Sequence, residues 1–210
     1  MAPVKVFGPA QSTNVARVLV CLEEVGAEYE VVNVDLKAKE HKSHEHLKRN
    51  DGDLYLFETR AIGKYILRKY KMSEVDLLRE GNLKEAAMVD LWNEVETHQF
   101  NPALSSIVFQ CIINPALHGI STNEKDVDET LKKVLEVYEA HLSENTYLAG
   151  DFVSFADLSH FYTFYFMATP YASLFDSYPH VKAWWERLVA RPQETWCRNG
   201  SSYSEDVRKS

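Results

Sequence analysis

The sequence predicts a small α/β domain followed by a larger all-helical domain. Three observations predict this. Strand and helix signals alternate through the first third of the chain, every periodic segment after about residue 76 is helical, and a charged stretch from Lys69 to Asp76 separates the two regions. The expected boundaries are residues 1–70 for the α/β domain, 71–76 for a linker, 77–192 for the helical domain and 193–210 for a polar, disordered tail.

The elements follow in order. Val4-Lys5-Val6-Phe7 is a short β-type run stopped by Gly8-Pro9. Ser12-Thr13-Asn14 supplies N-cap residues, and Val15, Val18, Leu19 and Leu22 follow at helical spacing until Gly26 ends the helix. Tyr29 to Leu36 alternates with period two and is rich in valine, so it reads as a second strand. A strand, a helix and a strand in this order imply a parallel pair joined by a crossover. Asp51-Gly52-Asp53 reads as a turn and Leu54 to Phe57 as a strand. Thr59 to Tyr70 reads as a helix with Ile62, Tyr65 and Ile66 on one face.

In the second region Leu83 to Val95 is helical, and Ala103 to Ile113 continues it beyond a kink at Pro102. Val127 to Leu142 is periodic through Leu131, Val134, Leu135 and Tyr138. Phe155 to Met167 is apolar nearly all round, which predicts a buried central helix. Val153-Ser154-Phe155-Ala156-Asp157 has the form of a hydrophobic staple and capping box that would start it. Val181 to Leu188 is the last helix.

Composition narrows the function classes. The 210 residues are 45% hydrophobic and 12% aromatic, enough to form a substantial core. A formal net charge of −8 disfavours nucleic acid and anionic membrane surfaces, which would repel the chain. No stretch approaches the ~20 apolar residues of a membrane span. No signal-peptide-like run opens the chain. Cys21, Cys111 and Cys197 have no regular spacing and form no CxxC, so neither a disulfide framework nor a dithiol centre is indicated. A reducing cytosol is the expected compartment.

Ala2 to Gly8 running into Ser12-Thr13-Asn14-Val15-Ala16-Arg17, then Leu22-Glu23-Glu24-Val25-Gly26, resembles the first strand and catalytic turn of the plant phi-class glutathione S-transferases. Glu40-His41-Lys42-Ser43, Phe57-Glu58-Thr59-Arg60-Ala61-Ile62, Tyr147-Leu148-Ala149-Gly150-Asp151, Ser154 to Leu158 and Tyr178 to Trp185 extend the resemblance, in order, to about residue 192. The resemblance implies a thioredoxin-like domain followed by a helical bundle, conjugation of glutathione to apolar electrophiles in detoxification or stress response, and a homodimer. Glutathione would be a co-substrate, with no further cofactor and no metal.

It also implies site residues. Ser12 would donate its hydroxyl to the glutathione sulfur at the start of the first helix, where the dipole favours an anion. Free thiols have a pKa near ~8.5, and lowering it by about two units takes about 2.7 kcal/mol of preferential thiolate stabilisation. Taken alone, Ser12 also suits a plain N-cap. Arg17 would either brace the site or pair at the surface. Glu58 and Thr59 lie at a strand-to-helix junction that suits the γ-glutamyl end of glutathione. On their own they read as strand-end charge and a helix cap. His41 and Lys42 match the positions that hold the glycyl carboxylate, or else belong to a solvated, flexible charged loop. A metal reading of His41 with His44 and His46 lacks further ligands at suitable spacing. Gln11, Leu36, Phe109 and Ile113 are the candidates for an electrophile pocket between the domains, with core or rim packing as the alternative.

The chain departs from the family pattern in three places. Asn50 runs directly into Asp51-Gly52-Asp53 where the family has an Asn-Pro-x-Gly-x-x-Pro segment. About nine residues are therefore expected to be absent, enough for a short strand and its approach. The segment also carries a cis-proline and a glutamine-type contact to glutathione, and no proline lies between Pro9 and Pro102 to replace it. Residues are also expected to be missing before Leu131 and near Phe161-Tyr162, where one deletion would rotate the rest of a helix by about 100°. The end of the chain is polar where the family has an apolar helix. These departures point to an alternative splice or gene-model product and to a small domain lacking one strand. They sustain an alternative function, a non-catalytic carrier with an impaired glutathione site. A thiol–disulfide reductase would need cysteine where Ser12 stands.

Overall fold

The computed structural model describes residues 3–9, 12–35, 38–44, 48, 56–71, 75–115 and 129–191. The chain divides into two compact units, residues 1–75 and 76–210.

The first unit opens with β1 (Val4–Phe7), α1 (Thr13–Glu24) and β2 (Tyr29–Val32). The strands pair in parallel, with Val4 opposite Tyr29 and Phe7 opposite Val32. β2 is shorter than the valine pattern implies because its partner ends: the Gly8 amide donates to Val32 O at 2.9 Å, and Pro9 then offers no N–H. Gly8 sits at φ +147°, and a Cβ there would lie 2.6 Å from Val15 Cγ2. The turn from β1 therefore runs directly against α1, and the Ser12 amide closes it onto Pro9 O. At the far end Gly26 adopts φ +59°. Its amide donates to Glu23 O and that of Ala27 to Leu22 O, a Schellman stop.

A single turn of 3-10 helix, Glu40–Lys42, follows β2, and α2 (Thr59–Lys69) packs on α1. The buried stripe of α2 is Gly63, Ile66 and Leu67, with Ile62 and Tyr65 only half-buried, so the helix is rotated slightly from the face its apolar residues suggest. Of the strand expected at Leu54–Phe57, Leu56 and Phe57 are irregular. Leu54, Tyr55, the Asn50–Asp51 junction and the residues after Arg191 lie outside the described residues.

The second unit is helical. α3 (Leu83–Val95) starts at Asn82, whose side chain accepts from the Lys84 and Glu85 amides. The helical path continues through a π turn (Glu96–Phe100), α4 (Asn101–Val108) and a second π turn (Phe109–Ile113). The first wide turn lies immediately ahead of Pro102, where the proline ring would clash with an ordinary α-helical carbonyl and lacks an N–H to complete the ladder. α5 (Glu129–Leu142) buries Leu131, Leu135, Tyr138 and Leu142.

The segment expected as one central helix is two, α6 (Phe155–Leu158) and α7 (Tyr162–Phe166). Its burial is as expected: Phe155 to Phe161, Thr163, Tyr165 and Phe166 are all buried. The interruption has a visible cause. His160 Nδ1 donates to Ala156 O at 2.7 Å, taking the carbonyl that its own backbone amide would use in an α-helix. That amide bonds Asp157 O instead, and Ser159 Oγ donates to Phe155 O and to Asn93 Oδ1 of α3. With Nδ1 protonated, His160 Nε2 accepts from the Tyr138 hydroxyl at 2.9 Å.

The N-terminus of α6 forms the expected capping box. Asp157 reaches back to the Ser154 amide at 2.8 Å, and the Ser154 hydroxyl also donates to the same carboxylate oxygen at 2.9 Å. The other oxygen accepts from the Leu148 amide and from Trp184 Nε1 of α8 (Pro179–Val189). Burial pushes the Asp157 carboxyl up, and these four donors hold it partly down. Around this network Trp92, Phe100, Tyr138, His160 and Trp184 pack ring against ring. Among the described residues, no helix is long and apolar enough to cross a membrane.

Candidate functional site

The first unit brings two helix starts together. Ser12 is the N-cap residue of α1, in extended backbone at φ −68° and ψ 129°, and half-buried. Its carbonyl accepts from the Ala16 amide, as an N-cap should, but its hydroxyl makes no capping hydrogen bond. The first turn of α1 also holds no acidic side chain. The site therefore combines the positive end of a helix with a hydroxyl available for a ligand, an arrangement suited to holding a thiolate or another anion.

Thr59 opens α2. Glu58 before it is exposed and takes φ +67°, a backbone strained for a residue with a side chain. Its carbonyl receives the Ile62 amide while its side chain caps nothing. The link between the helix starts is Arg17. Its side chain is wholly buried, and Nη1 donates to Thr59 Oγ1 at 2.8 Å and to Asn14 Oδ1 in the first turn of α1 at 3.3 Å. Arg17 is thus an internal bridge, not a surface pairing. Its placement was foreshadowed by one cation inside the run Val15-Ala16-Arg17-Val18-Leu19-Val20, where a surface position would break the apolar pattern more often.

His41 and Lys42 stand on the 3-10 turn, His41 half-buried and Lys42 exposed. This turn is built rather than slack. Glu40 Oε2 accepts from the Asp35 amide, Asp35 O accepts from the Glu40 amide, and Asp35 Oδ1 accepts from the Ala38 amide. Lys39 takes the left-handed conformation ahead of it. His41 Nδ1 is buried and has no hydrogen-bond partner.

Phe109 and Ile113 lie four residues apart on the second π turn of the other unit. Phe109 is 45% exposed and Ile113 half-buried, which is neither a core nor a fully solvated placement. Gln11 and Leu36 lie outside the described residues. Cys21 is fully buried, its Sγ donating to Arg17 O at 3.3 Å, and burial pushes its thiol far up, so it is a packing residue rather than a nucleophile. Among the described residues, no group of three or more potential ligands could hold a metal ion. A cleft of about 400 Å³ in the first unit is lined by Val25, Gly26, Lys69 and Tyr70 among others. It lies at the C-terminal ends of α1 and α2, a full helix length from Ser12 and Thr59.

Both parts of the chain have counterparts among known proteins. Residues 2–68 match the glutathione S-transferase N-terminal domain and residues 100–192 the glutathione S-transferase C-terminal domain. The chain is 78% identical over 205 residues to a probable glutathione S-transferase, GSTF1, of Oryza sativa subsp. japonica, covering 91% of this chain and 94% of that protein. It is 55% identical to glutathione S-transferase 1 of Triticum aestivum, with 91% and 92% covered. Among solved structures it resembles glutathione S-transferase I bound with lactoylglutathione at 52% identity and a TM-score of 0.85, covering 97% of this chain and 99% of that one. It resembles glutathione transferase F7 from Populus trichocarpa at 46% identity and the same TM-score, with 97% and 98% covered.

Proposed function

Because the chain belongs to the glutathione S-transferase family, in its plant phi class, we propose that it conjugates the glutathione thiolate to apolar electrophiles. The observation that carries this reading is the uncapped start of α1, where the Ser12 hydroxyl is free of the helix it begins. One charge-assisted hydrogen bond together with a helix end supplies stabilisation of the size that a two-unit fall in thiol pKa requires, about 2.7 kcal/mol. The thiolate then attacks the electrophilic carbon directly, with no covalent enzyme intermediate.

In this reading Glu58 and Thr59 receive the γ-glutamyl end of glutathione: the Thr59 hydroxyl and the first amides of α2 face its carboxylate, and the exposed Glu58 faces its ammonium. His41 and Lys42 hold the glycyl carboxylate, a role supported by the braced turn that carries them. The half-exposed Phe109 and Ile113 contribute apolar contacts to the electrophile. Glutathione is the co-substrate and no metal takes part. The carrier reading has less support, since the relatives are named as transferases.

The reading extends to a glutathione-binding domain of residues 1–70, a linker of 71–76 and a helical domain of 77–192, which the two compact units support. It also extends to a cytosolic homodimer acting in detoxification or stress. Leu83, Ala87 and Leu91, exposed at successive turns of α3, support a partner surface. Sedimentation at twice the chain mass is the expected result.

The central test is Ser12→Ala. Glutathione affinity should stay close to that of the parent while turnover with an aryl halide falls by about tenfold or more. Unchanged turnover would remove Ser12 from the mechanism. Retention on immobilised glutathione with no turnover in the parent chain would favour the carrier.

A further inference from the structure

We propose that Arg17 is a positioning residue for the conjugation reaction, one that presets the Thr59 hydroxyl as a donor toward bound glutathione and holds the starts of α1 and α2 toward one ligand. The inference rests on the reading of Thr59 as a glutathione contact.

A guanidinium with no exposed surface is costly inside a protein unless its donors are matched, so its presence within the run Val15 to Leu22 calls for a physical reason. The reason lies in what Nη1 joins. Asn14 belongs to the first turn of α1, and Thr59 is the first residue of α2, 42 positions further on from Arg17. One nitrogen therefore spans two helix starts that the sequence keeps far apart. At 2.8 Å the bond to Thr59 is a charge-assisted one of good length.

The chemistry of that bond has a direction. A hydroxyl has one proton and two acceptor lone pairs, whereas a guanidinium can only donate. Once Arg17 occupies an acceptor site on Thr59 Oγ1, the hydroxyl proton must point elsewhere. A threonine without such a partner can turn its proton to a nearby backbone carbonyl and lose its use as a donor. Here the rotor is fixed before any ligand arrives, and a carboxylate in front of α2 meets a donor already aimed. The adjacent Glu58 adds a second sign of constraint. Its φ of +67° persists only where the surroundings over-determine it, and the anchored Thr59 is its immediate neighbour.

The test is a double-mutant cycle on Arg17→Met and Thr59→Val, read as the glutathione KM against kcat with an aryl halide as the second substrate. Thr59→Val should raise the glutathione KM by about tenfold and change kcat much less. Arg17→Met should raise it by a similar factor. The double variant should lie within about twofold of Thr59→Val alone, because the group through which Arg17 acts is already gone. Independent effects that multiply in the double variant would overturn the inference, as would Arg17→Met with an unaltered KM. An unaltered KM in Thr59→Val would instead overturn the assignment of Thr59, so the two failures separate. If circular dichroism shows Arg17→Met unfolded, Arg17→Lys takes its place, since it keeps the charge but not the planar fork. Its single variant should fall between the parent and Thr59→Val, and an added effect in Arg17→Lys with Thr59→Val would again overturn the proposal.

Discussion

Ser12 is a capping residue in a capping position whose hydroxyl does not cap, and Arg17 is a charged residue inside the run Val15 to Leu22 whose charge is internal. Each departs from the ordinary behaviour of its residue type, and both departures fall at the same helix start. Residues elsewhere follow the ordinary rules closely enough to be tested by them. Asp157 gathers four donors in a fully buried position. Asp157→Ala would leave all four unsatisfied, and it should cost about 4 kcal/mol, read as a lower urea midpoint. Glu139 shows the opposite shift. Its partial burial opposes the charge, but the Val181 and His180 amides and the His180 ring outweigh it and hold the carboxyl below its ordinary value. Its contribution is therefore present above the unfolded value near ~4.3 and lost as pH falls through the lower folded value. Glu139→Gln should show a smaller fall in thermal midpoint than the parent between about pH 5 and pH 3.

At the scale of elements, the accuracy of the sequence reading depends on which interactions end each segment. The end of α1 was legible because its stop is local: Gly26 supplies the left-handed residue, and its amide and that of Ala27 close the helix. α8 starts at Pro179, two residues before the expected Val181, because the proline ring suits a helix's first turn. The length of β2 was not legible, because the ladder depends on how far β1 runs before Pro9. Nor was the break between α6 and α7, where the His160 ring takes a carbonyl from the helix because Tyr138, 22 residues earlier, waits on its other side. The β1–α1 turn carries the most direct consequence for the site. Gly8→Ala would place a methyl carbon 2.6 Å from Val15 Cγ2 at φ +147°, so it should cost about 1–3 kcal/mol. By displacing the approach to Ser12 it should also lower kcat/KM for glutathione, measured by varying the tripeptide at fixed electrophile.

At the scale of the molecule, the first unit is small, and its sheet has two strands among the described residues. A ligand bound across the starts of α1 and α2 would join segments that the sheet alone holds weakly. Glutathione at a hundred times its dissociation constant should stabilise the folded chain by about 2.7 kcal/mol. For a chain of this length that is a rise of roughly 5–10 °C in the thermal midpoint. At the same concentration S-methylglutathione, which has no ionisable thiol, should give a smaller rise if the Ser12 hydroxyl favours the thiolate, and an equal rise would count against that role.

The amino-acid sequence by itself determined the division into an α/β part and a helical part and most of the helices, because periodicity, capping residues and turn residues act over a few positions; the family was legible only through the resemblance of its motifs. It also indicated Ser12, Glu58 and Thr59 through the motifs that surround them. Only the tertiary structure decided that the Ser12 hydroxyl stays out of the helix cap, that His41 Nδ1 is buried unpaired, and that Arg17 reaches Thr59. Those facts depend on hydrogen bonds between groups distant in sequence, and on burial, which no local pattern encodes.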